Sequence, residues 1–197
     1  PAQGQAGDQE TASAAPENRS LETTDPELQA IMDAFIGGQV SADSEQLNDT
    51  QKQLIALVSL VAQQSEELLA KQTREALEQG LEAVQIREAV YQCAPYVGFP
   101  RAVDALKIVN GVFEENGIGL PLEDAGTTEE STRFDLGLDA QAAIFGEAMR
   151  EAASGGREAM ARSAYYLVTN CFGDYYTREG LDLETREMLT LAILVNL

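Results

Sequence analysis

Three observations predict that this chain folds entirely as α-helix. Alanine, leucine and glutamate are abundant in a composition that is 44% hydrophobic, and all three are strong helix formers. Apolar residues recur at helical spacing, most densely at Leu54, Ile55, Leu57, Val58, Leu60 and Val61. No run of alternating β-branched residues marks a strand.

The elements follow in order. Residues 1–24 are poor in large apolar side chains and rich in Ala, Gln, Gly, Ser and Glu. Such a segment cannot bury enough surface to offset the entropy of ordering, so a disordered tail is expected. Its composition suits either an exported or cell-envelope protein after signal removal, or a cytoplasmic one. Asp25-Pro26 opens a helix whose apolar face is Leu28, Ile31, Met32 and Phe35, and Gly37-Gly38 ends it. Asn48, Asp49 or Thr50 caps the long helical pattern that runs to Gly80. Its first half is apolar nearly all round, which predicts burial on several sides. A helix over about 83–94 follows, ended or kinked by Pro95. The next helix covers 101–115 and is expected to bury Ala102, Val103, Leu106, Val109 and Phe113. The polar, Gly- and Thr-rich stretch 118–138 reads as a linker. Helices over 139–153 and 157–176 come next, the latter with Tyr165, Tyr166, Phe172, Tyr175 and Tyr176. These aromatics are expected in the core, since nothing polar converges on them in sequence. The last segment, LDLETREMLTLAILVNL, is a helix start.

Charge and residue inventory exclude several functions. The 197 residues carry a net charge of −20, which argues against nucleic acid and anionic membranes as partners. No apolar run approaches the ~20 residues of a membrane-spanning helix. There are two cysteines and no histidine. Cys/His metal sites, Ser-His-Asp triads and Cys-His pairs are therefore outside these residues, and no metal or cofactor is expected. Cys93 and Cys171 lack a cationic sequence neighbour to activate them, so both are expected as small buried apolar residues that do not pair.

An internal repeat organises the chain. Asp182 matches Asn48, Arg186 matches Lys52, Glu187 matches Gln53, Met188-Leu189 match Leu54-Ile55, and Leu191 matches Leu57. The offset is constant at 134 residues with no gap. Phe35 and Phe172 occupy comparable places before each helix. Two copies of one helical unit are expected, the second cut off inside its main helix.

The stretch from Thr50 through REAL, Gly80, IREAV and APYVGFPRAVDAL resembles the carboxymuconolactone decarboxylase family, which includes the AhpD-like alkylhydroperoxidases. YVGFPRA, Tyr96 to Ala102, is its most specific piece, and LDLETREMLTLAIL resembles the start of the same domain. The resemblance implies an AhpD-like helical bundle with a first repeat over 25–117 and an incomplete second over 139–197. It also implies a homo-oligomer, trimer or hexamer, acting on a small-molecule substrate as a peroxidase-like oxidoreductase or a lactone decarboxylase. A non-catalytic helical oligomer that binds a ligand or partner is the alternative.

The family's peroxidase branch uses a glutamate, two cysteines one helical turn apart, and a histidine. Such a set cycles between thiol and disulfide while the histidine and glutamate move protons. In the first copy those positions fall on Gln53, Ser65, Leu68 and Gln72. None of these can serve as base or redox nucleophile at neutral pH, so the first copy reads as a scaffold that has lost its site. In the second copy Glu187 stands at the glutamate relay position. The corresponding cysteines would fall at 199 and 202 and the histidine at 206. Glu187 can also be read as a first-turn carboxylate favoured by the helix dipole.

Overall fold

The computed structural model of the protein describes residues 20–197. The expected tail over 1–24 lies outside the described residues as far as 19, and its end, Leu21–Thr24, is a single helical turn (α1). The chain divides into two compact units, 1–47 and 48–197. All regular elements among the described residues are helical, as the composition requires.

In the first unit α2 (Pro26–Met32) leads into a π-helical stretch, π1 (Asp33–Val40), and a final turn, α3 (Ser41–Asp43). The helix therefore does not end at Gly37-Gly38 as expected. Leu28, Ile31 and Phe35 of its apolar face are exposed at 50%, 65% and 57%.

In the second unit the long helical pattern is two helices, α4 (Asp49–Gln63) and α5 (Glu66–Glu78). The break is at Gln64, in the left-handed conformation with φ 59°, and it lets the chain fold back on itself. α4 starts in a reciprocal cap: the Asn48 side chain accepts from the Gln51 N–H at 2.9 Å, and the Gln51 side chain accepts from the Asn48 N–H at 3.0 Å. α6 (Ala83–Val97) runs through Pro95 rather than stopping there. Its flanks at Ala89, Val90, Cys93 and Ala94 are buried, and that packing outweighs one lost hydrogen bond. α7 (Phe99–Glu115) buries Ala102, Ala105, Val109, Val112 and Phe113, whereas Val103 is 47% exposed, contrary to expectation.

α8 (Arg133–Phe145) begins earlier than its pattern suggested, and Gly146 ends it. The single helix expected over 157–176 is instead a series of short pieces. After α9 (Ala148–Ala152) come α10 (Gly156–Ala159), α11 (Arg162–Tyr166) and the wide-turned π2 (Leu167–Tyr176). α8 and π2 pack at very short range through Gly137 and Gly173. A Cβ on Gly137 would sit 2.1 Å from the Val168 carbonyl, and one on Gly173 2.4 Å from the Arg133 carbonyl. Only glycine permits this approach.

α12 (Leu183–Val195) closes the unit. Asp182 caps it, accepting from the Thr185 N–H at 2.8 Å. The Asn48 and Asp182 backbones are nearly identical, with φ, ψ of −75°, 167° and −77°, 168°. α12 packs against α4 and α6. Leu189 and Ile193 join Leu57, Val58, Ile86, Val90, Val109 and Phe113 in the main core, all fully buried. Each such side chain contributes about 1.5–3 kcal/mol by leaving water. A smaller cluster of Cys171, Phe172 and Tyr176 lies beside it.

Candidate active site

Three elements build one polar seam between these cores. Glu88, Gln92 and Tyr96 are spaced four residues apart on α6, so one face of that helix carries all three. Arg186 and Thr190 have the same spacing on α12. π2 supplies Cys171 and Tyr176.

The hydrogen bonds run without interruption. Arg186 donates to Glu88 at 3.2 Å and to the Gln92 carbonyl oxygen at 3.2 Å. The Gln92 amide donates to Thr190 Oγ1 at 3.1 Å. Thr190, Tyr176 and Tyr96 then close a ring of hydroxyls, with edges of 2.7, 2.8 and 3.2 Å. Cys171 Sγ lies 3.9 Å from the Tyr96 oxygen. Of the aromatics expected in the core, Phe172 and Tyr176 are buried while Tyr166 is 54% exposed, and the seam overturns the expectation that nothing polar converges on them. Tyr176 meets Tyr96, 80 positions away, and Thr190, 14 positions away on the next helix, so no local pattern reveals the seam.

Electrostatics keep these groups protonated. Burial pushes the Tyr96 hydroxyl up to about 12, against hydrogen bonds from Thr190 and Tyr176 that lower it. Burial raises Tyr176 still further; the hydrogen bond with Thr190 opposes this, while Tyr96 and Glu187 add to the rise. The Cys171 thiol is pushed up by burial, and the Glu187 carboxylate adds to this while the Tyr96 hydrogen bond opposes it. The Glu187 carboxylate thus acts electrostatically on both Tyr176 and Cys171. Cys93 is fully buried, donates to the Ala89 carbonyl, and is held far above the usual thiol range by burial. Both cysteines are free, as expected. A thiolate is the nucleophile in redox chemistry, and neither environment favours one.

The first-copy positions lie elsewhere. The Gln72 amide donates to the Gln53 carbonyl oxygen, and the Gln53 amide donates to Gln79 at 2.7 Å. The positions matched to glutamate and histidine therefore meet, but as amides. Ser65 precedes α5, and Leu68 is 48% exposed. Among the described residues no group of His, Cys, Asp and Glu is placed to hold a metal ion, and no helix is long and apolar enough to cross a membrane.

An all-helical unit bearing YVGFPRA at the α6–α7 corner defines the class to which this chain is similar. Comparison with known families places residues 26–111 in the Carboxymuconolactone decarboxylase family. The all-α, AhpD-like fold agrees with that match. A search of curated proteins finds no match.

Proposed function

We propose that the protein acts on a small carboxylated lactone by proton transfer, using Glu187 and the hydroxyl ring of Tyr96, Tyr176 and Thr190, while the first copy serves as scaffold. The observation that carries this is the contrast between Glu187, set beside a thiol and a buried tyrosine, and its counterpart Gln53, tied among glutamines. In a decarboxylation the bond from the ring carbon to its carboxylate breaks and carbon dioxide leaves. The electron pair remains on that carbon, conjugated with the lactone carbonyl. A proton from the hydroxyl ring takes the carboxylate's place, and Glu187 returns a proton to the ring from water. No oxidant or reductant is needed. A peroxidase would need a thiolate, which the raised Cys93 and Cys171 do not supply.

The test is carbon dioxide release from carboxylated γ-lactones, run beside peroxide turnover with a dithiol reductant. Lactone turnover that falls at least about 100-fold in Glu187→Gln supports the reading. Peroxide turnover without lactone turnover would overturn it, and so would full lactone turnover in the variant.

The family resemblance further implies a homo-oligomer. Light scattering is expected to show an assembly larger than one chain. A monomeric parent protein would count against the assembly.

A further inference from the structure

The arginines around Glu88 point to a second site, independent of the lactone reading. Three guanidinium groups surround this one fully buried carboxylate. Arg87 Nη2 lies 3.3 Å from Oε1, and Arg178 Nε and Arg186 Nη2 lie 2.9 and 3.2 Å from Oε2. The cluster therefore carries surplus positive charge inside a chain whose net charge is −20. Burying a cation without a full counter-charge is costly, so such a surplus calls for an anion.

The surplus faces a cavity of about 480 Å³. Arg87 and Arg178 line it, with Tyr91, Asn110, Leu106 and Leu122. The Arg87 side chain is 9% exposed, and both its ends are engaged: Nη1 donates to the Glu123 carbonyl at 2.8 Å and Nη2 faces Glu88 at 3.3 Å, so it contributes charge to the cavity wall. Arg178 spends Nε on Glu88. The nearest acid to its outer edge is Asp124, 3.6 Å from Nη2, with a side chain 87% exposed. Both guanidinium groups also lie against the Tyr91 ring, Arg178 at 5.0 Å and Arg87 at 5.7 Å. This stacking holds the planes in place. A planar cation with an open edge matches a carboxylate in two-point contact, and the leucine walls match an apolar body.

We infer that this cavity binds a small carboxylic acid with an apolar body, its carboxylate held by the outer edge of Arg178 beside the Arg87 charge. The site shares no residue with the hydroxyl ring, and the Glu88–Arg186–Gln92 chain connects the two.

Isothermal titration of the full chain with benzoate, benzamide and inorganic phosphate tests this. Benzoate is expected to saturate with a Kd of about 1 mM, as befits a fragment of its size. Removing the competing acid in Asp124→Asn is expected to tighten binding about threefold. Placing a like charge in the wall with Asn110→Asp is expected to weaken it at least about fivefold. Neither substitution touches the Glu88 cluster's hydrogen bonds, and circular dichroism checks that both variants are folded. Absence of saturation by benzoate, equal binding of uncharged benzamide, tighter binding of phosphate, or unchanged affinity in both variants would each overturn the assignment.

Discussion

Arg186 donates to Glu88 across 3.2 Å with both side chains wholly removed from solvent, although they stand 98 residues apart in sequence. Burial lowers the Arg186 pKa, and the charge and hydrogen bond of Glu88 offset this. The carbonyls of Arg178 and Glu179 also accept from Arg186. This pair fastens α12 to α6 at the base of the hydroxyl ring.

Removing one member of such a pair strands the other. Glu88→Gln leaves three guanidinium groups without their shared counter-charge and is expected to cost about 3–5 kcal/mol. Arg186→Met is expected to cost less, because Glu88 keeps Arg178 at 2.9 Å. Urea denaturation measures both, and a loss under about 1 kcal/mol for Glu88→Gln would contradict the account.

The α8–π2 contact depends on two missing side chains. Gly173→Ala would drive a methyl group into the Arg133 carbonyl, a rigid backbone atom, so a loss of at least about 2 kcal/mol is expected. Gly111→Ala in α7 is the control. Nothing lies within 4 Å of its added Cβ, and the helix gains about 0.5–1 kcal/mol. Thermal denaturation should therefore move in opposite directions for the two variants.

The tyrosine ring gives the protein an alkaline limit. The Tyr96 pKa is raised in the fold to about 12, above the ~10 of an unfolded chain. Between these values the folded state holds a proton that the unfolded state has lost. Stability is then fully present below pH ~10 and falls as pH rises toward 12. Tyr96→Phe is expected to flatten this decline. Denaturation midpoints across that window, read beside tyrosinate absorbance, check the sign.

The α12 cap gives a smaller dependence at the acid end. The backbone N–H of Thr185 holds the Asp182 carboxyl below its ordinary value. Its contribution is present above the unfolded value of ~3.9 and is lost as pH falls through the lower folded value. Asp182→Ala is expected to cost about 1 kcal/mol at neutral pH, and Asp182→Asn to keep most of the cap. If Asp182→Asn proves as damaging as Asp182→Ala in denaturant titrations, the cap is not the reason.

Both thiols are expected to be inert. Burial raises Cys93 and Cys171, so a disulfide reagent at neutral pH should modify neither in the native state and both after denaturation. Fast native modification of Cys171 would reopen thiol chemistry.

Much of this was legible in the residues. Helix periodicity and the Asn48 and Asp182 caps are local facts, written in neighbours three or four positions apart, and they fixed the all-helical class. YVGFPRA pointed to the family, and two cysteines without cationic neighbours read as buried and unpaired. The breaks were less legible. Gln64 takes a left-handed conformation with no glycine to announce it, and Pro95 sits inside a helix because surrounding contacts outweigh its missing donor. The π-helical turns of π1 and π2 follow from packing and leave no period of their own.

Sequence alone determined the all-helical class, the caps and the family resemblance, because each depends on side chains close together along the chain. Only the tertiary structure decided that the Glu187 carboxylate acts on Cys171 and Tyr176, and that Tyr96, Tyr176 and Thr190 form one ring. Those groups come from three separate helices, and the raised pKa values of Tyr96, Cys171 and Tyr176 arise from burial, which exists only once α6, π2 and α12 have closed on one another.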